Sequence, residues 1–229
     1  MLEKNEFIQP GEWLEDLQLG GLQILQRADL YRFAQDAVLL ADFATVKNGE
    51  RVCDLGSGAG VICLLLAGNS AAREIVGVEI QPALSDMAAR SVLYNGIGSR
   101  VKMLNMPMQE AHTALGCESM DAVVCNPPYR KTGTGDRSAA DAIAIARHEV
   151  YVTLDEVAAS AARLLKLKGR FYMIHRCDRL ADVFRALSAH RLEPKTLKIV
   201  RPAPDKDPLW ALVEAVKGGK AGLKVIIGN

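Results

Sequence analysis

"RVCDLGSGAGVICLLLA" occupies residues 51–67 and decides the fold. Its first half is a short apolar run that ends at Leu55, and its second half has the apolar character of a buried helix. Three glycines, Gly56, Gly58 and Gly60, lie between the two halves. Because glycine lets the backbone turn sharply and approach a ligand closely, the pattern predicts a strand, a ligand-binding loop and a helix.

The loop departs from the dinucleotide-binding fingerprint, which requires a glycine where this chain has Val61. Asp54 stands before the first glycine, and its carboxylate would repel a pyrophosphate but attract a cationic amino acid. The pattern therefore indicates a ligand with an amino group and no phosphates. Further along, "IVGVEIQP" ends a predicted strand at Glu79, whose carboxylate can accept both hydroxyls of a ribose. A nicotinamide-dependent oxidoreductase stays open as a minor alternative.

Strand-like and helix-like runs alternate from residue 51 onward. This alternation is typical of right-handed crossovers and a parallel sheet that is covered on both faces. Two final strands, near 192–200 and 208–216, are joined by the proline-rich "RPAPDKDP", so the last strand should run antiparallel. We predict an α/β fold with a Rossmann-like, seven-stranded, mostly parallel sheet.

Three segments are expected along the chain. Residues 1–50 do not fit the alternation and are predicted to form a cap with short strands and an amphipathic helix. The main domain is expected over residues 51–217. Residues 218–229 are rich in glycine and lysine and are predicted to be a loosely held tail.

A second informative stretch follows the predicted strand that ends at Cys125, where Asn126-Pro127-Pro128-Tyr129 interrupts the apolar run. Ligands of an open parallel sheet lie outside the carboxyl ends of its strands, so this turn should lie beside the glycine loop. The Asn126 side-chain oxygen and the Pro127 carbonyl can each accept one N–H of a planar amine such as adenine N6. Tyr129 can stack on a flipped base, while Cys125 is expected in the core. The alternative is a rigid turn that only closes a strand.

The motif "DLGSGAG" at residues 54–60 resembles the glycine-rich motif of the class I S-adenosylmethionine-dependent methyltransferases, and "NPPY" resembles the turn of those that methylate amino groups. Their targets are adenine N6, guanine N2 or a glutamine amide. "YRFAQDAVLLADF", "ARHEVYVTLDEVAASAARLLK" and "HRCDRLADVFRAL" resemble one bacterial family in particular, the tRNA(Val) adenine N6-methyltransferases. That family acts on the adenine 3′ of the anticodon.

The resemblance implies S-adenosylmethionine as cofactor and a catalytic turn of Asn126, Pro127, Pro128 and Tyr129. Many relatives place an aspartate near the adenine amine where this chain has Pro107, so backbone groups would make that contact here. The cofactor contacts that the resemblance implies are Phe33, Asp36, Asp54, Gly56, Ser57, Gly58, Gly60, Glu79, Ile80, Met106 and Asn126.

The charge of the chain is unevenly distributed. Residues 1–126 hold 9 Lys/Arg and 16 Asp/Glu, whereas residues 127–229 hold 19 and 11, so net charges of −7 and +8 give the total of +1. A basic half suggests a surface for a polyanion, although solvated helix faces can produce the same count. Candidate RNA contacts are Arg130, Lys131, Arg137, Arg147, His148 and Arg176.

Apolar runs, the N-terminal sequence and the cysteines indicate the broad class of protein to expect. No apolar run is long enough to span a bilayer, and no signal peptide is visible, so we expect a cytoplasmic monomer without a membrane partner. The five cysteines include no C-x-x-C pair, and we expect no metal site. Two alternatives stay open: an enzyme for another amino group, in rRNA or protein, and a non-catalytic RNA-binding module. Asn126 and Glu79 argue against the latter, which needs neither.

Overall fold

An eight-stranded sheet organises the part of the chain that the computed structural model describes, residues 7–30, 32–128, 152–203 and 205–228. The strands are β1 (Glu12–Asp16), β2 (Gln23–Arg27), β3 (Arg51–Leu55), β4 (Glu74–Glu79), β5 (Val101–Asn105), β6 (Met120–Cys125), β7 (Leu165–Arg176), β8 (Leu192–Val200), β9 (Trp210–Lys217) and β10 (Lys224–Gly228). The strand order of the sheet is β10-β8-β9-β7-β6-β3-β4-β5, and β1 and β2 form a separate antiparallel pair.

The sheet is parallel except for β9, which runs antiparallel to both β7 and β8. This confirms the predicted α/β fold, including the reversal at the strand expected near 208–216. The sequence did not lead us to expect β10, which pairs in parallel with β8 and adds an eighth strand to a sheet predicted to have seven. It forms within the segment predicted to be loosely held, because Val225–Ile227 is β-branched and the edge of β8 offers unpaired backbone groups.

Helices cover both faces of the sheet, as its alternating sequence predicts. The helices are α1 (Gln35–Phe43), α2 (Val61–Asn69), α3 (Pro82–Tyr94), α4 (Ala111–Leu115), α5 (Leu154–Leu164) and α6 (Leu180–Ala189). One buried apolar cluster joins β2, α1, α2 and α3 to one face of the sheet, and a second joins α4, α5 and α6 to the other face.

The β1–β2 hairpin is tied to α3 through hydrogen bonds. The Leu25 N–H donates to Ser91 Oγ at 3.0 Å, and the Gln23 N–H donates to Asn95 Oδ1 at 2.9 Å. Helix α2, buried from Val61 to Ala67, packs against α1. The cap segment therefore shares one apolar core with the sheet.

The parallel arrangement brings four strand ends together. β3, β4, β5 and β6 are neighbours that run in the same direction, so Leu55, Glu79, Asn105 and Cys125 all end at one edge of the sheet. This carboxyl edge is where ligands of open parallel sheets bind.

Candidate active site

The glycine loop between β3 and α2 is held against the end of β4. The N–H groups of Gly56 and Ser57 both donate to the Val78 carbonyl, at 2.8 and 3.1 Å. Gly56 and Gly60 have φ angles of +74° and +87°, which residues with a side chain rarely adopt. A Cβ added at Gly60 would also lie 3.0 Å from the Cβ of Ala88. The glycines are therefore required by the backbone itself, and the loop has the form that the sequence predicts for a ligand-binding turn.

Glu79 ends β4 with a buried carboxylate that faces the glycine loop. Its Oε2 accepts the N–H of Gly58 at 2.9 Å, and its Oε1 accepts the N–H of Gln81 at 2.8 Å. Burial raises the pKa of Glu79, and the two backbone hydrogen bonds oppose this by favouring the charged form. The carboxylate therefore anchors the glycine loop to the end of β4 in its charged form.

Asn105, at the end of β5, supports the same turn. Its Nδ2 donates to the carbonyls of Glu79 at 2.8 Å and Ile80 at 3.0 Å, and the Met106 N–H donates to the Glu79 carbonyl at 3.1 Å. The sequence led us to place the adenine near Pro107, two residues further on, but to assign Asn105 no role. A polar amide at the last position of a strand was the available signal.

Asp54 is completely buried at the end of β3. Its Oδ2 accepts a weak hydrogen bond from the Cys63 thiol at 3.5 Å, and its Oδ1 has no hydrogen-bond partner among the described residues. Burial raises the pKa of Asp54 to about 7, although the bond from Cys63 lowers it, and the nearby charge of Glu79 adds to the rise. A buried oxygen without a donor is costly, and the ammonium group of an amino-acid ligand would satisfy it.

A small cavity lies between the glycine loop and the ends of β4 and β5. Its volume is about 30 Å³, which is room for about two water molecules. The cavity is lined by Gly56, Val78, Glu79, Ile80, Met106, Met108, Gln109 and Val152. An adenosyl group would have to displace the side chains of Met106 and Met108, whose thioethers adapt easily. Val78, Met108, Gln109 and Val152 were not among the residues predicted from the sequence to contact the cofactor.

The Asn126-Pro127-Pro128 turn leaves the sheet beside this loop. Asp54 pairs with Val124 in the β3–β6 ladder, so Gly56 and Asn126 follow at the same level of adjacent strands. Asn126 is half-buried, Pro127 is buried and Pro128 is exposed. The geometry therefore brings the amide and the glycine loop to one place, as the sequence predicts.

Cys125 and His175 are both buried near the turn. Burial makes Cys125 unsuited to act as a nucleophile and His175 unsuited to contact RNA. Cys125 is fully buried, and burial raises the pKa of its thiol well above the usual value. His175, at the end of β7, is also buried, and burial lowers its pKa to about 4, with a smaller contribution from Arg179. Cys125 is thus a core residue, as expected from the sequence.

The remaining predicted site residues are found before and in α1, at the end of β7, or outside the described residues. Phe33 packs against the buried cluster on the α1–α3 side, and Asp36 is buried in the first turn of α1, where its Oδ1 accepts the Ala37 N–H at 2.9 Å. Arg176 is exposed and pairs with Asp178 at 3.2 Å. The predicted positions Tyr129, Arg130, Lys131, Arg137, Arg147 and His148 lie outside the described residues.

Two further features concern metal binding and membrane insertion. No group of three or more His, Cys, Asp or Glu side chains within the described ranges is arranged to hold a metal ion. None of the described helices is long and apolar enough to cross a membrane.

The sequence profile of the methyltransferase small domain matches residues 34–187, which is more than half of the chain. A tRNA1(Val) (adenine(37)-N6)-methyltransferase from Porphyromonas gingivalis is 28% identical over 191 residues, covering 80% of this chain and 73% of that protein. A protein of the same name from Bacteroides fragilis is 26% identical over 183 residues, with 78% and 74% covered.

Solved structures share the fold at lower identity. A predicted O-methyltransferase from Agrobacterium tumefaciens is 22% identical, with a TM-score of 0.68 over 84% of this chain and 85% of that one. P. horikoshii TYW2 in complex with MeSAdo is 13% identical, with a TM-score of 0.63 and coverage of 92% and 73%. These similarities support the overall fold of the sheet and its covering helices.

Proposed function

Since the chain belongs to the methyltransferase small domain family, we propose that it methylates the exocyclic N6 amine of adenine in tRNA, at the adenine 3′ of the anticodon of tRNA(Val). It is an S-adenosylmethionine-dependent N-methyltransferase. The curated relatives carry this adenine specificity in their names. The observation that carries the proposal is the Asn126-Pro127-Pro128 turn, which leaves β6 level with the glycine loop.

The residues present suit the cofactor. The unpartnered Oδ1 of Asp54 would accept the ammonium group of the methionine part, and Glu79 would accept the ribose hydroxyls. Ile80, Met106 and Met108 offer apolar contact for an adenine ring. When bound, S-adenosylmethionine supplies an electrophilic methyl group.

The turn would position the acceptor amine. The N6 nitrogen is a weak nucleophile because its lone pair is delocalised into the ring. Asn126 Oδ1 and the Pro127 carbonyl would each accept one N–H, which fixes the nitrogen and favours tetrahedral character as it attacks. The two prolines restrict the backbone, so the Pro127 carbonyl keeps its direction. The proton leaves for solvent after attack, since no ionisable side chain stands at residues 126–128.

The proposal is tested with labelled S-adenosylmethionine and total tRNA that lacks the modification, followed by nucleoside mass spectrometry. We expect N6-methyladenosine with the parent enzyme, and at least a roughly 100-fold slower transfer with Asn126→Ala. Asn69→Ala, at the exposed end of α2, is the matched control and should keep full activity. Methylated guanosine, or transfer only to protein, would contradict the adenine assignment while leaving the methyltransferase chemistry intact.

A further inference from the structure

The far end of the sheet carries four lysines that we call the lysine strip: Lys195, Lys198, Lys220 and Lys224. They lie on β8, on β10 and in the turn before β10. Lys195 Nζ donates to the Lys220 carbonyl at 3.1 Å, which joins the turn to β8. A Cβ added at Gly228 would lie 3.1 Å from Lys198 Cε, so the Lys198 side chain extends across to β10.

The strip differs from many of the other basic side chains in the described part of the chain, because none of its lysines has an ion-pair partner there. No residue of the strip forms an ion pair within the ranges that the structure describes, whereas the cations on β7 and α6 largely do. Lys166, for example, pairs with Asp121 at 2.6 Å, and Arg185 pairs with Asp182 at 2.9 Å. Glu214, on the neighbouring β9, is instead engaged by the Thr196 hydroxyl at 2.7 Å.

Further unpaired cations extend this surface. Lys168 Nζ donates to the Gly218 carbonyl at 2.6 Å, and the Gly218 N–H donates to the Arg191 carbonyl at 2.9 Å. Lys168 and Arg191 therefore both border the turn that precedes β10. Arg201 follows β8 at the opposite end, and its buried Nε has no hydrogen-bond partner among the described residues. Within the described residues, Lys168, Arg191 and Arg201 thus add positive charge at the same end of the sheet as the strip.

The strip and the catalytic turn belong to the same sheet. The strand register places Lys198 level with Ile174, one residue beyond the partner of Cys125, and Lys224 level with Val124, whereas Lys220 lies before the start of β10. Four strand spacings separate β6 from β10, which is about 19 Å. A folded RNA with one base at Asn126 extends beyond that distance, and its phosphates would meet unpaired lysines there.

We propose that the lysine strip binds the phosphate backbone of the RNA substrate, away from the methylated base. The inference rests on the proposed RNA specificity. Lysine contacts to phosphate position a nucleic acid without reading its sequence, and they make binding sensitive to salt. The competing interpretation is that the lysines only protect the open edge of β10 from pairing with other chains. Lysines can also attract an anionic membrane surface.

The test compares two triple variants of the full chain in fluorescence anisotropy with unmodified tRNA over a range of salt concentrations. The strip variant is Lys198→Gln with Lys220→Gln and Lys224→Gln, which spares the structural contact of Lys195. The control variant removes three exposed cations near the other end of the sheet, with Lys47→Gln, Arg73→Gln and Lys102→Gln. Both variants lose the same net charge. An arginine version of the strip variant retains that charge and serves as a rescue.

We expect the strip variant to bind tRNA roughly tenfold more weakly at about 0.1 M salt, with the slope of log affinity against log salt reduced by about 0.9 for each lysine that contacts a phosphate. Affinity for S-adenosylhomocysteine and transfer to a short anticodon stem-loop should stay unchanged. The control and the arginine rescue should bind tRNA like the parent.

Equal tRNA affinities and equal salt slopes for the two glutamine variants would refute the strip as an RNA-binding surface. Aggregation of the strip variant with unchanged tRNA affinity would instead support the interpretation that the lysines protect the edge of β10. Strip-dependent binding to phosphatidylserine vesicles without binding to tRNA would assign the surface to a membrane and refute our inference. Methyl transfer by the parent is measured separately. Absence of transfer to any RNA would refute the proposed function, whereas strip-dependent tRNA binding would still support the surface.

Discussion

The carboxylates of Asp54 and Glu79 stand at the ends of adjacent strands, and both are buried, yet their surroundings are different. Glu79 accepts two backbone N–H groups, from Gly58 and Gln81, and helps to build the loop. Asp54 has only the Cys63 thiol, and one of its oxygens has no partner among the described residues. The comparison teaches that burial alone does not define a binding group. One carboxylate holds the glycine loop, and the other is the group that we propose a ligand satisfies.

The largest effect is expected from Asp54→Asn, which should weaken cofactor binding and stabilise the free protein. An amide cannot pair with an ammonium group as a carboxylate does, so affinity for S-adenosylhomocysteine should fall roughly 10- to 100-fold in titration calorimetry. A raised pKa means that the fold disfavours the charged form. The parent therefore loses stability as pH rises from about 4 to the folded pKa of about 7.

The amide introduced by Asp54→Asn cannot ionise, so this variant should match the parent near pH 4 and exceed it above about pH 7, by at most about 4 kcal/mol in free energy of unfolding. Urea unfolding at both pH values measures the difference. A variant that is less stable than the parent at about pH 8 would show that Asp54 holds the fold, like Glu79, and would remove the contrast.

The pH dependence of cofactor binding sharpens the same contrast. An ammonium ligand requires Asp54 to be ionised, so affinity of the parent should fall about tenfold for each pH unit below about 7. At about pH 6, binding should release a proton, which calorimetry in buffers of different ionisation enthalpy detects. Asp54→Asn should show neither effect. A flat profile for the parent between about pH 5.5 and 8 would contradict the role of Asp54.

Glu79→Gln tests the structural side of the comparison. The substituted amide can accept only through one of its two ends, so a backbone N–H of Gly58 or Gln81 would lose its acceptor. We expect a loss of about 1–3 kcal/mol in free energy of unfolding, measured by urea titration, together with weaker cofactor binding. Glu118→Gln, at an exposed carboxylate that pairs with Lys217, should cost less than about 1 kcal/mol. Equal stability of both variants would refute the structural role of Glu79.

The smallest effect is expected from Cys63→Ala. The thiol lowers the pKa of Asp54 through its hydrogen bond, so its removal should shift the midpoint of the pH profile for cofactor affinity upward, by less than about one unit. Cys53→Ala removes an equally buried sulfur that makes no hydrogen bond to Asp54, and it serves as the control for a cavity. The same midpoint in both variants would show that the bond is unimportant.

Much of the site could be predicted because its signals are local. The glycine loop, the acid at the end of β4 and the turn after β6 each follow a strand within a few residues, and parallel strands necessarily deliver those ends to one edge. The roles of the individual site residues stay predictions. Asn105 escaped notice because its only signal in the sequence is a polar amide at the end of a strand, and its two acceptors are backbone carbonyls from the end of another strand.

The amino-acid sequence by itself determined the α/β alternation, the antiparallel β9 and the position of the glycine loop, because short-range periodicity and glycine and proline chemistry specify them. Only the tertiary structure decided that the tail pairs as β10, which brings Lys224 onto the strand next to Lys198, and that Asp54 is buried with a raised pKa. These features depend on contacts between distant segments, and burial and electrostatic environment exist only once those segments have packed together.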